Sequence, residues 1–307
     1  VCTRNITGQS VTVNITADAT IALTSAVGTN NQTVCINNPI VNITYAVGGS
    51  GTGGSVIGLP VGVTGVYAGG VVTISGTPTV SGSFPYTVST TGPCVIPTAT
   101  GTINVTADAT IALTSVAGSD NQTLCINTPL LTNITYNVGG SGTGGIVAGL
   151  PTGITGVYAG GIVTISGTPI VSGVFNYTVT TAGPCVKPTS TGSITVTADA
   201  TLNLTSATGT NNQSLCINTA IANITYAVGG TGTGGAVTGL PPGVTAAFAG
   251  GVITISGSPI STVGSPFTYT VTTTGPCVKP TATGTITVNP DATINLTSAP
   301  PTTSQEL

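Results

Sequence analysis

The cysteines are the residues of this chain whose type and spacing point most directly to chemistry. Of the 307 residues seven are cysteine and none is histidine, and no two cysteines form a CxxC pair. That pattern favours disulfides over zinc binding and indicates an oxidising compartment. Two series recur at intervals of 90 to 92 residues, and Cys2 stands 92 before the first member of the second: Cys35, Cys125 and Cys216; Cys94, Cys185 and Cys277.

Two pairings of these cysteines are compatible with the spacing. The simpler one stays within a repeat and closes loops of about 60 residues: Cys35–Cys94, Cys125–Cys185 and Cys216–Cys277. The alternative applies if the two cysteines of a repeat lie at opposite ends of its fold. Each early cysteine would then meet the late cysteine of the next repeat: Cys35–Cys185 and Cys125–Cys277.

Acidic residues recur once per repeat, in the phrases TADAT and NPDAT: Asp18, Asp108, Asp199 and Asp291. These positions are candidate calcium ligands between repeats, but calcium requires six to eight oxygens, usually from several carboxylates. A turn or capping role at the junction is the preferred interpretation. Without histidine, and without a second carboxylate nearby in sequence, no catalytic arrangement can be assembled. We expect no enzyme activity, no cofactor and no metal.

The chain carries almost no charge. Three Lys and Arg stand against six Asp and Glu, so no basic patch exists for nucleic acid. Long uncharged stretches are interrupted by Gly, Pro and alternating Thr, which indicates short strands and turns, so no membrane insertion is expected in this segment. Abundant Val, Ile and Thr between Gly-rich turns indicate an ordered β-protein.

Internal repetition defines the domain organisation. TADATIALTS begins at Thr16 and again at Thr106, and TADATLNLTS begins at Thr197. We therefore predict three complete repeats with partial repeats on either side, which is the signature of a longer array. The predicted boundaries are 1–15 for the end of a preceding repeat, 16–105, 106–196 and 197–288 for the three repeats, and 289–307 for the start of a following one.

Each repeat reads as seven or so short strands with turn signals between them. Ala19–Thr24 alternates with a period of two, and further strands are expected at 40–47, around 58–60 and 66–67, and at 71–75, 84–88 and 102–105. The fold class is all-β: tandem immunoglobulin-like Greek-key β-sandwiches in a linear array. The twelve aromatic residues recur four to a repeat at strand positions, so we assign them to the core and not to a sugar-stacking surface.

The segment GLPVGVTGVYAGGVVTISGTPTVSGSFPYTV resembles the immunoglobulin-like repeats of bacterial surface proteins. Combined with the cysteine pair and the DATI-LTSA junction, it is similar to the repeats of SprB-type gliding-motility adhesins of Bacteroidota, over essentially the whole chain. This resemblance implies a long cell-surface filament that is exported by the type IX secretion system and used in adhesion.

The functional prediction is a repetitive stalk or filament segment of an extracellular cell-surface adhesin. Its partners would be neighbouring repeats of the same long chain, with surface polysaccharide or other copies of the chain as further candidates. Two alternatives remain open. One is a self-assembling structural fibre, sheath or surface layer. The other is a carbohydrate-binding module, which requires an exposed row of aromatic side chains.

Overall fold

The computed structural model describes Gly8 and residues 13–294. Within that part of the chain the secondary structure consists of 24 β-strands, arranged as three successive β-sandwiches of eight strands each. The prediction of an all-β chain of tandem β-sandwiches is therefore confirmed. The predictions for Cys2 and for most of the two flanking partial repeats lie outside the described residues.

The first sandwich contains β1 to β8. Its strands are β1 (Thr20–Leu23), β2 (Asn31–Cys35), β3 (Ile43–Gly48), β4 (Gly53–Ile57), β5 (Val63–Ala68), β6 (Val71–Gly76), β7 (Gly82–Thr91) and β8 (Thr98–Thr106).

The second sandwich contains β9 to β16. Its strands are β9 (Ala109–Leu113), β10 (Asn121–Cys125), β11 (Ile134–Gly140), β12 (Gly144–Ala148), β13 (Ile154–Ala159), β14 (Ile162–Gly167), β15 (Gly173–Ala182) and β16 (Thr189–Thr197).

The third sandwich contains β17 to β24. Its strands are β17 (Ala200–Leu204), β18 (Asn212–Cys216), β19 (Ile224–Gly230), β20 (Gly234–Thr238), β21 (Val244–Ala249), β22 (Val252–Gly257), β23 (Phe267–Thr274) and β24 (Thr281–Asn289).

Each sandwich pairs two four-stranded sheets of different character. In the first sandwich one sheet has the order β1-β3-β6-β5 and is antiparallel throughout. The other has the order β2-β8-β7-β4, and its β2–β8 pair is parallel, with Asn31 opposite Thr102 and Cys35 opposite Thr106. The same parallel pair recurs as β10–β16 and β18–β24. Two strands of each sandwich therefore run side by side in the same direction.

Two strands were not predicted from the sequence. A polar turn was expected at 28–31 and no strand directly after it, yet residues 31–35 form β2, because their partner is a strand about 70 residues later in the chain. The Gly-rich run at 48–54 read as a loop throughout, yet β4 begins at Gly53 and pairs with β7. In both cases a distant partner supplies the hydrogen bonds that the local pattern does not indicate.

The core of each sandwich is filled by inward-facing side chains of both sheets. Ile43, Val72, Ile74, Val88 and Ile103 are completely buried in the first sandwich, and the other two sandwiches have matching clusters. Alternating burial along β7 and β8 places apolar residues inside and most threonines outside, with Thr90 as a buried exception. No helix in the described range is long and apolar enough to cross a membrane.

Two of the four aromatic residues of each repeat lie deep in this core. Tyr45 and Tyr86 are at most 2% exposed, whereas Tyr67 and Phe84 are half-buried against the same cluster. Only Phe248, on an edge strand of the third sandwich, is exposed, at 39%. The assignment of the aromatic residues to the core therefore describes the fold well.

Candidate functional site at the junctions

The peptide linkers between sandwiches are two residues long. β8 ends at Thr106 and β9 begins at Ala109, and in the same way β16 ends at Thr197 and β17 begins at Ala200. An aspartate occupies the second linker position each time, Asp108 and Asp199. A linker of two residues is too short to let neighbouring domains move freely relative to each other.

A disulfide crosses each of these junctions. Cys35 is bonded to Cys185 and Cys125 to Cys277, with Cα–Cα distances of 5.6 Å in both pairs. Cys35 ends β2 of the first sandwich, and Cys185 precedes β16 of the second. Each junction is thus crossed by two covalent connections, the peptide chain and a cystine.

The pairing within a repeat, which the sequence analysis gave as the simpler one, is wrong for this structure: Cys35–Cys94, Cys125–Cys185 and Cys216–Cys277 are not formed. The reason lies in the register of the parallel pair. Cys35 stands opposite Thr106 at the end of β8, whereas Cys94 precedes the start of β8 at Thr98. A nine-residue strand spans about 30 Å, so the two cysteines lie at opposite ends of their sandwich.

Two cysteines of the described range carry no disulfide, Cys94 and Cys216. Cys94 occupies in the first sandwich the place that Cys185 and Cys277 occupy in the next two. Cys216 occupies in the third sandwich the place of Cys35 and Cys125. At both positions the equivalent cysteines of the other sandwiches form a disulfide with an adjacent sandwich.

The junction aspartates hold the cysteine-bearing segment in place. An Oδ1 atom of Asp108 accepts a hydrogen bond from the backbone N–H of Val186, at 3.3 Å, and Ala109 N–H donates to the Val186 carbonyl, at 3.2 Å. Val186 directly follows Cys185. Asp18 and Asp199 accept from Val95 and Val278 in the same way.

This geometry gives the aspartates a role of their own as hydrogen-bond acceptors. Within residues 13–294 no group of three or more His, Cys, Asp or Glu side chains is placed so that it could hold a metal ion. Asp291, the fourth candidate, follows the end of β24. The calcium interpretation thus gains no support from the donor set.

The Gly-rich loop after β3 packs directly on the junction. In the second sandwich, Gly140 has a φ of 60°, and a Cβ there would collide with the carbonyl oxygen of Asp108. That same carbonyl accepts the N–H of Ser141 at 3.3 Å. Glycine is therefore required here both for the left-handed backbone and for the close approach.

A glutamine that was not predicted to have a structural role fixes the strand that carries the early cysteine. Gln122, on β10, is 7% exposed and donates through Nε2 to the carbonyls of Ser119 and Thr132, at 2.9 and 2.8 Å. Its Oε1 accepts the N–H of Leu131 at 3.0 Å. The recurrence of NQT or NQS before each early cysteine was the available signal. A buried amide with its hydrogen bonds satisfied tethers the edge strand to its loops.

A pair of buried tyrosines lies between the two sheets of each sandwich. In the second sandwich the hydroxyls of Tyr136 and Tyr177 lie 3.1 Å apart, and Tyr177 also donates to the carbonyl of Asp120 at 3.1 Å. Burial, and then the hydrogen bond with Tyr136, raise the pKa of Tyr177 far above its ordinary value, and Tyr86 and Tyr269 behave in the same way with their own partners. The phenols of Tyr86, Tyr177 and Tyr269 therefore remain neutral and serve as internal hydrogen-bonding groups.

Close backbone packing accompanies each tyrosine pair. A Cβ on Gly192 would collide with the hydroxyl of Tyr177 and with the Asp120 carbonyl oxygen. Gly101 and Gly284 have the same surroundings in the other sandwiches. The sequence indicated the tyrosines as core residues but gave no indication of this glycine, because its neighbours are distant in the chain.

Comparison with known proteins identifies the architecture and no family. No protein-family model matches the sequence, and no curated protein matches it either. Among solved structures, a three-domain fragment from the I-band of titin is similar with a TM-score of 0.62 and 10% identity, covering 90% of this chain and all of the titin fragment. A mutated variant of three titin immunoglobulin domains gives a TM-score of 0.63 with the same identity and coverage.

These comparisons establish the fold as tandem immunoglobulin-like domains. A complex of the Dpr2 and DIP-Theta immunoglobulin domains is also similar, at 9% identity and a TM-score of 0.46, which is too low to support an argument. At about 10% identity the likeness to titin concerns architecture alone.

Proposed function

We propose that this chain is a stalk or filament segment of an extracellular cell-surface adhesin. The observation that carries the proposal is the double covalent connection between successive sandwiches, a two-residue linker together with a cystine. Domains joined by flexible linkers do not require a second covalent connection. A filament that must keep its length or direction under load does. The task of the segment is then mechanical: it holds an adhesive region away from the cell and presents repeated surfaces.

The disulfides also support the extracellular location. Structural cystines persist in oxidising compartments and are rare in the cytosol. The resemblance of the repeats to gliding-motility adhesins supports attachment to the cell surface, a part in gliding motility and export by the type IX system. In this proposal, the principal partners of each repeat are its neighbours in a long chain, and the repeat boundaries remain those inferred from the sequence, 16–105, 106–196 and 197–288.

A second candidate function is a self-assembling sheath or surface layer. The observation that favours it is the uncharged outer face of the sheet that contains the parallel pair. In the third sandwich this face carries directly opposed threonines, among them Thr268 and Thr285, and Thr270 and Thr283. Without charges to repel a neighbouring copy, such faces can pack laterally. Surface polysaccharide could contact the same hydroxyls.

Carbohydrate binding by stacking on aromatic rings gains less support. It requires exposed rings in a row, and in the described part of the chain the tyrosines and phenylalanines are buried or half-buried except Phe248. Phe248 belongs to the third sandwich, and no tyrosine or phenylalanine in the described residues of the other two sandwiches is as exposed. We therefore place carbohydrate binding behind the two mechanical functions.

Cryo-electron microscopy of the native protein on the cell surface, with antibodies raised against one repeat, tests the proposal. We expect single-file filaments that bind the antibody at regular intervals along their length. A continuous lattice or tube with lateral contacts between chains would contradict the stalk and establish the sheath. Loss of attachment to surfaces after deletion of the repeats, with the flanking regions retained, would separate an adhesive stalk from a filament of another purpose.

A further inference from the structure

The parallel strand pair and the cystines together form continuous covalent routes along the array. In each sandwich the two parallel strands run from the end near the preceding sandwich to the end near the following one. One of the two ends in the early cysteine. The other begins just after the late cysteine. Each cystine therefore joins the end of a strand in one sandwich to the beginning of a strand in the next.

We name the first of these routes thread one. It follows β1 and β2 of the first sandwich to Cys35, crosses the junction through the bond to Cys185, and continues along β16 through the second sandwich. It then passes the second junction as peptide and follows β17 and β18 to Cys216, at the far end of the third sandwich.

The second route, thread two, crosses the first junction as peptide and the second through a cystine, the reverse of thread one. It starts at Cys94, follows β8 through the first sandwich, and crosses the first junction as peptide into β9 and β10. At Cys125 it crosses the second junction through the bond to Cys277 and follows β24 to Asn289. In every sandwich the two threads are adjacent, because β2, β10 and β18 pair with β8, β16 and β24.

We propose that tension along the array is carried by these two threads, and that the rest of each sandwich is shielded from it. The strands between the early and late cysteine of a sandwich, β3 to β7 in the first, branch off both threads and lie on neither. In a tandem array joined by peptide bonds alone, force passes through each domain in series and extends the chain as domains unfold. Here the cystines limit that extension.

The lengths show how tight the limit is. Thread two contains 31 residue steps from Cys94 to Cys125 and 12 from Cys277 to Asn289, 43 in all, whereas the peptide chain from Cys94 to Asn289 contains 195. Fully extended, these routes span about 150 Å and about 680 Å respectively. Thread two already consists largely of extended strands, so little further extension remains, chiefly from the turn at 114–120.

This inference deepens the proposed mechanical function and rests on it for its biological meaning. The connectivity itself can be tested on the isolated chain, whatever the protein does on the cell. If the force experiment fails, the chain can still form a filament, but its domains are not shielded from tension. If microscopy shows a lattice, the chain does not form a single-file filament, but the two threads still connect its domains. The two failures are therefore distinguishable.

Single-molecule force spectroscopy on the whole chain tests the proposal. One handle is attached to the thiol of Cys94 and the other to the C-terminus, in a chain with Cys2→Ser and Cys216→Ser so that Cys94 is the attachment point. We expect the oxidised chain to show no stepwise unfolding and to reach its limit about 530 Å before the reduced chain, at about 3.5 Å per residue.

Two matched double variants assign the effect to one thread. Cys125→Ser with Cys277→Ser breaks thread two, and the shortest remaining route, through Cys35 and Cys185, contains 163 residue steps. Its limit should lie about 420 Å beyond that of the oxidised parent. Cys35→Ser with Cys185→Ser leaves thread two intact and should keep the short limit. Unfolding steps in the oxidised parent, or equal lengthening by both variants, would overturn the proposal.

Discussion

The interior of each sandwich is held together by noncovalent packing, whereas the junction between sandwiches is held by covalent bonds. Antibody domains place a cystine between their two sheets, but the cores here contain none and rely on apolar side chains and a hydrogen-bonded tyrosine pair. The junction has a linker of two residues, an aspartate and a cystine. The disulfides thus connect folds that are already complete, which indicates that they serve the array and not the single domain.

The largest expected effect comes from disturbing the core around the tyrosine pair. Gly192→Ala places a Cβ against the Tyr177 hydroxyl and the Asp120 carbonyl, so we expect the free energy of unfolding of the second sandwich to fall by about 3 kcal/mol. Gly144→Ala is the matched control, because its Cβ would meet only Ala182, at 3.4 Å. Urea denaturation followed by tyrosine fluorescence measures both. Equal stability of the two variants would show that the core tolerates the crowding.

Removing one hydroxyl of the tyrosine pair should have the next largest effect. Tyr177→Phe leaves the Tyr136 hydroxyl and the Asp120 carbonyl without their shared partner, at a cost of about 2 kcal/mol in unfolding free energy. Tyr158→Phe is the control, since that residue is only half-buried against the core. If both variants lose the same stability in urea denaturation, the hydrogen-bonded pair contributes nothing specific.

The same tyrosines predict a loss of stability at alkaline pH. Burial raises the pKa of Tyr86, Tyr177 and Tyr269 in the folded state, while the unfolded chain keeps the ordinary value near 10. Their contribution is fully present below pH 10, and it falls as pH rises above that value because only the unfolded state releases protons. Urea denaturation from pH 8 to 11 should show this decline, and it should be smaller in the triple Tyr→Phe variant. A decline of equal slope in both would assign it to other groups.

The junction aspartates should have a smaller and strictly local effect. Asp108→Ala removes the acceptor for Val186 N–H beside Cys185, at about 1 kcal/mol. We expect the Cys35–Cys185 bond to be reduced by dithiothreitol about fivefold faster, with Cys125–Cys277 unchanged in the same molecule. Timed alkylation and mass spectrometry give both rates. Asp199→Ala should reverse the pattern, and acceleration of both bonds by either variant would contradict a local role.

The smallest effect on folding should come from the cystines themselves. Cys125→Ser with Cys277→Ser leaves all three cores intact, so each sandwich should lose less than about 1 kcal/mol, well below the usual contribution of a disulfide within a small domain. Urea denaturation of the oxidised parent and the variant measures this. A loss of several kcal/mol would show that the bond stabilises the domains and would remove the contrast between core and junction.

The sequence predicted the sandwiches because the signals are local. Alternation in segments such as Ala19–Thr24, punctuated by Gly and Pro, indicated strands and turns wherever apolar residues face the core. The pairing of Cys35 depended instead on β2, a short polar strand with a parallel partner far along the chain. With that strand unrecognised, the end of the sandwich at which Cys35 lies could not be decided.

The tyrosine pair and its glycine show the same limit. Tyr136, Tyr177 and Gly192 are distant in sequence, and only the packing of two sheets brings them together. Asp108 lies in the linker between β8 and β9, but its acceptor role toward Val186 requires the fold of the segment that carries Cys185. Local periodicity thus predicted most of the strands. The pairing of distant strands, which the sequence does not reveal, determines the disulfides and the buried hydrogen bonds.

Mapping the cystines of the native protein, isolated from its source without reduction, is the most direct test of the disulfides that cross the junctions. Digestion with pepsin at acidic pH suppresses thiol–disulfide exchange, because the thiolate is the attacking species, and mass spectrometry without reduction then identifies the linked peptides. We expect a peptide containing Cys35 joined to one containing Cys185, and one containing Cys125 joined to one containing Cys277. Peptides joining Cys35 to Cys94 and Cys125 to Cys185 would contradict it, since every junction would then be crossed by the peptide chain alone.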